Sequence, residues 1–207
     1  ALEDSWNGKN AAPAQRIETL HAAVNGMQNN LIKAAWLMGE HLETAYGDNA
    51  KSIDNYTLFF NPTEGRSRDF FECAFDKQSL MECSHNSRHL AAVLVEAQRR
   101  GHRTRWVAHS QGAIIFITAV EFALKNDGIR LDRHSVCLHG TGCNVRRAEL
   151  VCTRAGITIE RVRNNPFDLV PNIFGPNDWS LGGLERSLKF RGLVKEGGPL
   201  ASPHTLP

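Results

Sequence analysis

The stretch RWVAHSQGAIIF, which begins at Arg105, constrains the fold more than any other part of the sequence. Its first residues are typical of a short buried strand, and its last residues are typical of a buried helix. Between them lie His109, Ser110, Gln111 and Gly112. Polar groups buried between two core elements cost free energy unless they form hydrogen bonds, and such a cost is tolerated where the groups have a function. The joint therefore marks either a serine that caps a buried helix or a functional site.

Strand-like and helix-like segments alternate along the rest of the chain. Apolar, β-branched or alternating residues predict strands over Arg16–Val24, Tyr56–Phe60, Arg105–Ala108, His134–Gly140 and Ile157–Val162. Helical spacing predicts helices over Asn30–Ala45, Arg66–Lys77, Ser87–Arg100, Gln111–Lys125 and Asn144–Ala155, and a short one near Leu184–Lys189 in a tail rich in Pro and Gly. Repeated β-then-α order predicts one α/β domain over residues 1–207, with a mostly parallel sheet and helices on both faces.

Ser110 lies where such a sheet places its sites, at the carboxyl end of a strand. The sequence A-H-S-Q-G approximates the G-x-S-x-G nucleophile elbow, a tight strand-to-helix turn that presents the serine hydroxyl above the sheet. Small residues two before and two after the serine let strand and helix approach closely. Ala108 replaces the first glycine of the pattern and is still small. Ser110 is therefore the candidate nucleophile, with the helix cap as the alternative.

A serine hydroxyl needs a base to take its proton and an acid to orient that base. In this architecture the partners follow the serine in the order acid, then histidine. Asp168 follows the last predicted strand and is the candidate acid, with Asp178 as a second choice and a turn-forming role as the alternative. Of the nine histidines, His204 alone follows Asp168, and we expect it to be the base.

Acyl transfer also requires N–H donors for the negative oxygen of the intermediate. The backbone N–H of Gln111, directly after the nucleophile, is one candidate. A second donor is expected from the loop after an early strand, where VNGMQNN offers Gly26 and Met27. The alternative for that loop is an ordinary Asn-Gly turn.

The composition narrows the class of function. A net charge of +2 gives no electrostatic footprint for nucleic acid, and none is expected as a partner. The sequence has no secretory signal and no apolar run of roughly 18 residues, so no membrane-spanning helix is predicted. The odd count of five cysteines favours a reducing compartment. The segment CLHGTGC fits no common zinc spacing, and we expect neither metal nor cofactor. Because no Met begins the chain, we expect part of a longer protein.

Taken in order, VNGMQNN, NPTEG, HSQGA, DLVPNI and SPHTLP resemble a branch of bacterial α/β-hydrolases. The branch includes polymorphic toxins and secreted antibacterial lipase effectors, with relatives among chlamydial proteins. The resemblance implies an α/β-hydrolase fold and a triad of Ser110, Asp168 and His204. Two departures are Ala108 in the elbow and a chain that stops soon after His204.

The resemblance also implies what the protein acts on and where. It implies a lipase or phospholipase that contacts membrane surfaces transiently and cleaves phospholipids or other acyl esters. As the C-terminal effector part of a longer protein, it would be made in the bacterial cytoplasm, carried by a secretion partner into a target cell, and neutralised by an immunity protein. A peptide, amide or thioester substrate, or a non-catalytic interaction module on the same scaffold, remain the alternatives.

Overall fold

The computed structural model describes residues 12–26, 30–47, 53–62 and 77–164 of the 207-residue chain. Strands and helices alternate within these residues, as predicted. In chain order they are β1 (His21–Val24), α1 (Leu31–Tyr46), β2 (Thr57–Phe59), α2 (Lys77–Arg99), β3 (Thr104–His109), α3 (Gln111–Asn126), β4 (His134–His139), α4 (Val145–Ala155) and β5 (Thr158–Arg163).

The strands form a five-stranded sheet in the order β2-β1-β3-β4-β5, and every neighbouring pair is parallel. In the register of the sheet, Ala108 of β3 is paired with Val24 of β1, and His109 with His139 of β4. The carboxyl ends of β1, β3 and β4 therefore lie side by side at one edge. The predicted α/β class and parallel sheet are confirmed.

Helices cover both faces of the sheet. Successive side chains of a strand point to opposite faces, and β3 shows this directly. Trp106 and Ala108 belong to the larger core, which also contains residues of α2, α3 and α4. Val107 belongs to the smaller core, where it is grouped with Met38 and Leu42 of α1. The larger core surrounds α3, whose apolar residues leave few polar positions for solvent, and such a helix is stable only when buried.

Two predicted boundaries are wrong. Ser87 does not begin a helix, because α2 runs from Lys77 and Ser87 is buried within it. Strand β1 starts at His21 rather than Arg16, since the preceding residues bend and Leu20 is exposed. The predicted helix near Leu184–Lys189 and nearly all of Arg66–Lys77 lie outside the described residues.

A buried histidine connects β4 to the larger core. Nδ1 of His134 accepts a hydrogen bond from Trp106 Nε1 (3.1 Å), so Nδ1 carries no proton, and Nε2 donates to the Leu94 carbonyl (3.0 Å). Burial lowers the pKa of His134 to about 4. The folded state thus holds this imidazole neutral at a pH where an unfolded histidine, with a pKa near 6.5, takes up a proton.

We expect His134 to make the protein less stable in mild acid. Its contribution is complete above pH 6.5 and is lost as the pH falls from about 6.5 to about 4, because the unfolded chain binds the proton first. Between pH 7 and pH 5 the loss is about 2 kcal/mol. Urea unfolding of wild type and His134→Gln at the two pH values measures it. Gln keeps an acceptor and a donor but does not titrate, so an equal pH dependence in both proteins would contradict the prediction.

Candidate active site

The strand order creates a crevice between β1 and β3. From β1 the chain crosses to β2 on one side, and it then returns past β1 to form β3 on the other. Loops that leave two neighbouring strands in opposite directions open a crevice at their carboxyl ends, and ligands of doubly wound sheets bind there. The residues that follow β1 and β3 include Gly26 and Ser110, two of the site residues predicted from the sequence.

Ser110 has the backbone conformation of an elbow. Its φ is 58° and its ψ is −125°, and within the described part of the chain it is the one residue other than glycine with a positive φ. Such a conformation costs a residue with a side chain roughly 1–3 kcal/mol and persists where the surroundings enforce it. Although Ser110 precedes α3, its side chain makes no capping hydrogen bond to that helix. The helix-cap alternative therefore fails.

The elbow is held by close packing of β1 against the start of α3. A methyl group on Gly112 would lie 2.4 Å from the Val24 carbonyl oxygen and 2.8 Å from that of Asn25. Only glycine allows this approach. Ala108, which replaces the first glycine of the pattern, is fully buried beside Val24, so the departure from G-x-S-x-G is accommodated.

Gly26 lies directly against the candidate nucleophile. A methyl group on Gly26 would lie 2.8 Å from Cβ and 3.2 Å from Oγ of Ser110, and 3.3 Å from the carbonyl oxygen of His109. The backbone of Gly26 thus lies directly against the Ser110 side chain. Backbone N–H groups beside a nucleophile are the kind of donor that binds a negative oxygen forming next to it.

Gln111, the other predicted donor, is the first residue of α3. The N–H groups in the first turn of a helix have no carbonyl of a preceding turn to bind, and the helix dipole adds positive potential there. The structure therefore brings together Ser110, Gln111 and Gly26 at one end of the sheet. Met27, Asp168, the second-choice Asp178 and His204 lie outside the described residues.

Replacing Ser110 by Gly should stabilise the fold, because glycine adopts positive φ without the penalty that a Cβ incurs. We expect Ser110→Gly to be more stable than Ser110→Ala by about 1 kcal/mol after the greater chain entropy of unfolded glycine is deducted. Both variants lack the hydroxyl, so their difference in urea unfolding isolates the backbone strain. An alanine variant as stable as the glycine variant would mean that the elbow stores no strain.

A group of side-chain amides at the crevice was not predicted. Asn25 follows β1, Asn61 follows β2, and both are buried. The Asn61 amide donates to Oε1 of Gln111 at 2.7 Å. A signal was present, since each asparagine comes shortly after a strand, and the carboxyl ends of parallel strands meet at one edge.

Three buried histidines form a second unpredicted cluster beside the elbow. Nδ1 of His41 lies 2.8 Å from Nδ1 of His139, and the rings of His41 and His109 stack with centroids 4.5 Å apart. Burial, reinforced by Arg163 and Arg161, lowers the pKa of His139 to about 4, so its ring is neutral at physiological pH. The Ser110 N–H donates to the His139 carbonyl at 3.1 Å. Chain order argues against His41 and His139 as the base, and His109 is too close to Ser110 in the chain to turn back on it, but neither argument indicates that the three histidines pack together.

In the part of the chain that the structure describes, three cysteines are free thiols in the core. Cys137, Cys143 and Cys152 are buried, and burial raises the pKa of each thiol, that of Cys152 to about 12. Among the residues that the structure describes, no group of three or more His, Cys, Asp or Glu side chains is arranged to hold a metal ion.

None of the described helices has both the length and the apolar character needed to cross a bilayer. Comparison with protein-family models, with curated proteins and with solved structures finds no match to this chain.

Proposed function

We propose that the protein is a serine hydrolase of the α/β-hydrolase type that cleaves acyl esters. One observation carries the proposal: Ser110 is held at positive φ at the end of a central strand, with the backbone of Gly26 against its hydroxyl. The strand order alone would not suffice, because flavodoxin-like sheets share it. A serine in a strained turn that caps nothing is the feature that favours a nucleophile.

The chemistry follows from that placement. Oγ of Ser110 adds to the ester carbonyl while its proton passes to the imidazole of His204, which Asp168 orients; chain order supports these two assignments. The negative oxygen binds N–H groups of Gln111 and of the Gly26–Met27 segment. Collapse expels the alcohol, which takes the proton from the imidazole, and water then releases the acid from the acyl-enzyme by the same route.

For the substrate we propose a membrane phospholipid, with the protein acting as an antibacterial effector. The ordered blocks that resemble lipase effectors support this, and so does an exposed apolar pair at the start of α1. Leu31 is 40% and Ile32 is 48% exposed, and both follow the loop that leaves β1 beside the candidate nucleophile. Exposed apolar side chains are suited to contact acyl chains or a lipid surface.

Two measurements on wild type and Ser110→Ala test the proposal. The first is covalent labelling of Ser110 by a fluorophosphonate, and the second is release of fatty acid from mixed phospholipid vesicles. We expect the wild type to give both and the variant neither. Labelling without fatty acid would redirect the search to peptide, amide or thioester substrates. If the folded wild-type protein is not labelled, the proposal of an enzyme is refuted, and the non-catalytic interaction module remains as the hypothesis.

The exposed pair gives a prediction specific to lipid. Replacing both Leu31 and Ile32 by Ser should lower hydrolysis of phospholipid vesicles roughly tenfold, because each buried apolar side chain contributes up to about 2 kcal/mol to contact with the bilayer. Cleavage of a soluble short-chain ester should not change. Leu150→Ser is the matched control, since Leu150 is 60% exposed but lies on α4. Equal losses from the pair and from Leu150 would argue against contact at α1.

A further inference from the structure

Asn61 is the centre of a buried amide network in which each of its polar groups has a partner. Its backbone N–H donates to Oδ1 of Asn25 (2.8 Å), and its carbonyl accepts from Nδ2 of Asn25 (3.1 Å). Its side-chain Nδ2 donates to Oε1 of Gln111 (2.7 Å), and its Oδ1 accepts from Nδ2 of Asn86 (3.0 Å). Asn61 is 1% exposed. A network satisfied in this way favours a single arrangement of the segments that it joins.

The joined segments are those that carry the predicted donors. Nδ2 of Asn25 also donates to the Gly26 carbonyl at 2.8 Å. Because a peptide unit is planar, this bond fixes the orientation of the peptide that leaves Gly26. At the other end of the network, Gln111 is held by its side chain, while its backbone N–H stays available at the start of α3. The two sides of the crevice are thus connected through one residue, Asn61.

The chemistry of the network suits a site where negative charge develops. Amides are neutral at every pH, so they hold the crevice together without adding a charge that would repel an oxyanion. A carboxylate in the same place would add a negative charge that repels the oxyanion. Fixed dipoles stabilise a transition state only if they are already in place when the charge appears, since reorganising them consumes the gain. Rigidity between Gly26 and Gln111 is therefore the property that the reaction requires.

We propose that Asn61 is a positioning residue that sets the distance between the Gly26 segment and Gln111, and so keeps the oxyanion donors aligned. The inference rests on the proposed serine hydrolase. Asn61 touches no reacting atom in this scheme; it acts through Asn25 on one side and through Gln111 on the other.

The test is the kinetics of fluorophosphonate inactivation, in which Oγ of Ser110 adds to phosphorus, negative charge develops on the phosphoryl oxygen in the transition state, and fluoride leaves. We expect Asn61→Ala and Gln111→Ala each to lower the maximal inactivation rate, kinact, by about 10- to 100-fold, the cost of a small misplacement. The half-saturating concentration should change little, because binding of the probe is not affected. The double variant should lose no more than Asn61→Ala alone, because the bond between Asn61 and Gln111 is already absent there.

The control is Gln98→Ala. Gln98 is also an amide with two hydrogen bonds, to Asp132 and to the backbone of Arg133, but these lie before β4, at the opposite ends of the strands. We expect its kinact to equal that of the wild type. A role of Asn61 in stability alone would lower its urea midpoint and leave kinact unchanged, which would overturn the inference. If Asn61→Ala does not fold, the kinact of Gln111→Ala tests the inference instead. A wild type that is never labelled would refute the hydrolase instead.

Discussion

Gly112→Ala should destabilise the protein by about 3 kcal/mol, against the ordinary preference of helices for alanine. In an unconstrained helix this substitution stabilises by about 1 kcal/mol. Here the new methyl group would lie 2.4 Å from the carbonyl oxygen of Val24, a fully buried residue of β1. Neither partner can move without breaking sheet or helix hydrogen bonds. The clash therefore outweighs the gain in helix propensity, and urea unfolding will measure the balance.

Gly142→Ala is the matched control. A methyl group there first meets Cδ1 of Ile114 at 3.2 Å, which is the end of a flexible side chain. We expect its free energy of unfolding to change by less than about 1 kcal/mol. A Gly112→Ala protein as stable as the control would show that β1 and α3 are not packed as closely as described, and the elbow would lose its support.

Elements marked by local chemistry were predictable from the sequence. The helix Val145–Ala155 illustrates this, because Asn144 caps its start and Gly156 ends it with a φ of 78°. The strand that leads to Ser110 was predictable too, since its apolar run has no polar interruption until His109. Each of these signals acts within a few residues, so no knowledge of the fold is needed to use it.

Other features depend on contacts that the sequence does not display. Ser87 is a good helix cap by residue type, yet α2 begins at Lys77 because packing against α3 outweighs local preference. The bond between Asn61 and Gln111 joins residues 50 positions apart. The contact of His41 with His139 spans 98 positions. Only the crossing of the chain at the sheet edge brings such pairs together, and no local pattern records that crossing.

Gly26→Ala should abolish most of the reactivity of Ser110 while leaving the fold largely intact. The added methyl group would lie 2.8 Å from Cβ of Ser110, so either the loop or the nucleophile must shift. Ser110 is held in its strained turn by α3 and β1, and we therefore expect the loop to move. Displacing a donor from its position costs about 100-fold or more in rate. The measurement is kinact for the fluorophosphonate, with urea unfolding to verify that the variant folds.

Gly142→Ala again provides the control, because the backbone N of Gly142 donates to the Ser110 carbonyl oxygen at 3.4 Å, so this residue also lies beside the elbow. We expect its kinact to stay within about threefold of the wild type, since the new methyl group displaces only a side-chain end. A Gly26→Ala protein that is labelled at the wild-type rate would place the oxyanion donors elsewhere than after β1. Loss in Gly26→Ala alone would assign that loop to the reaction, because both variants place a methyl group beside the same serine.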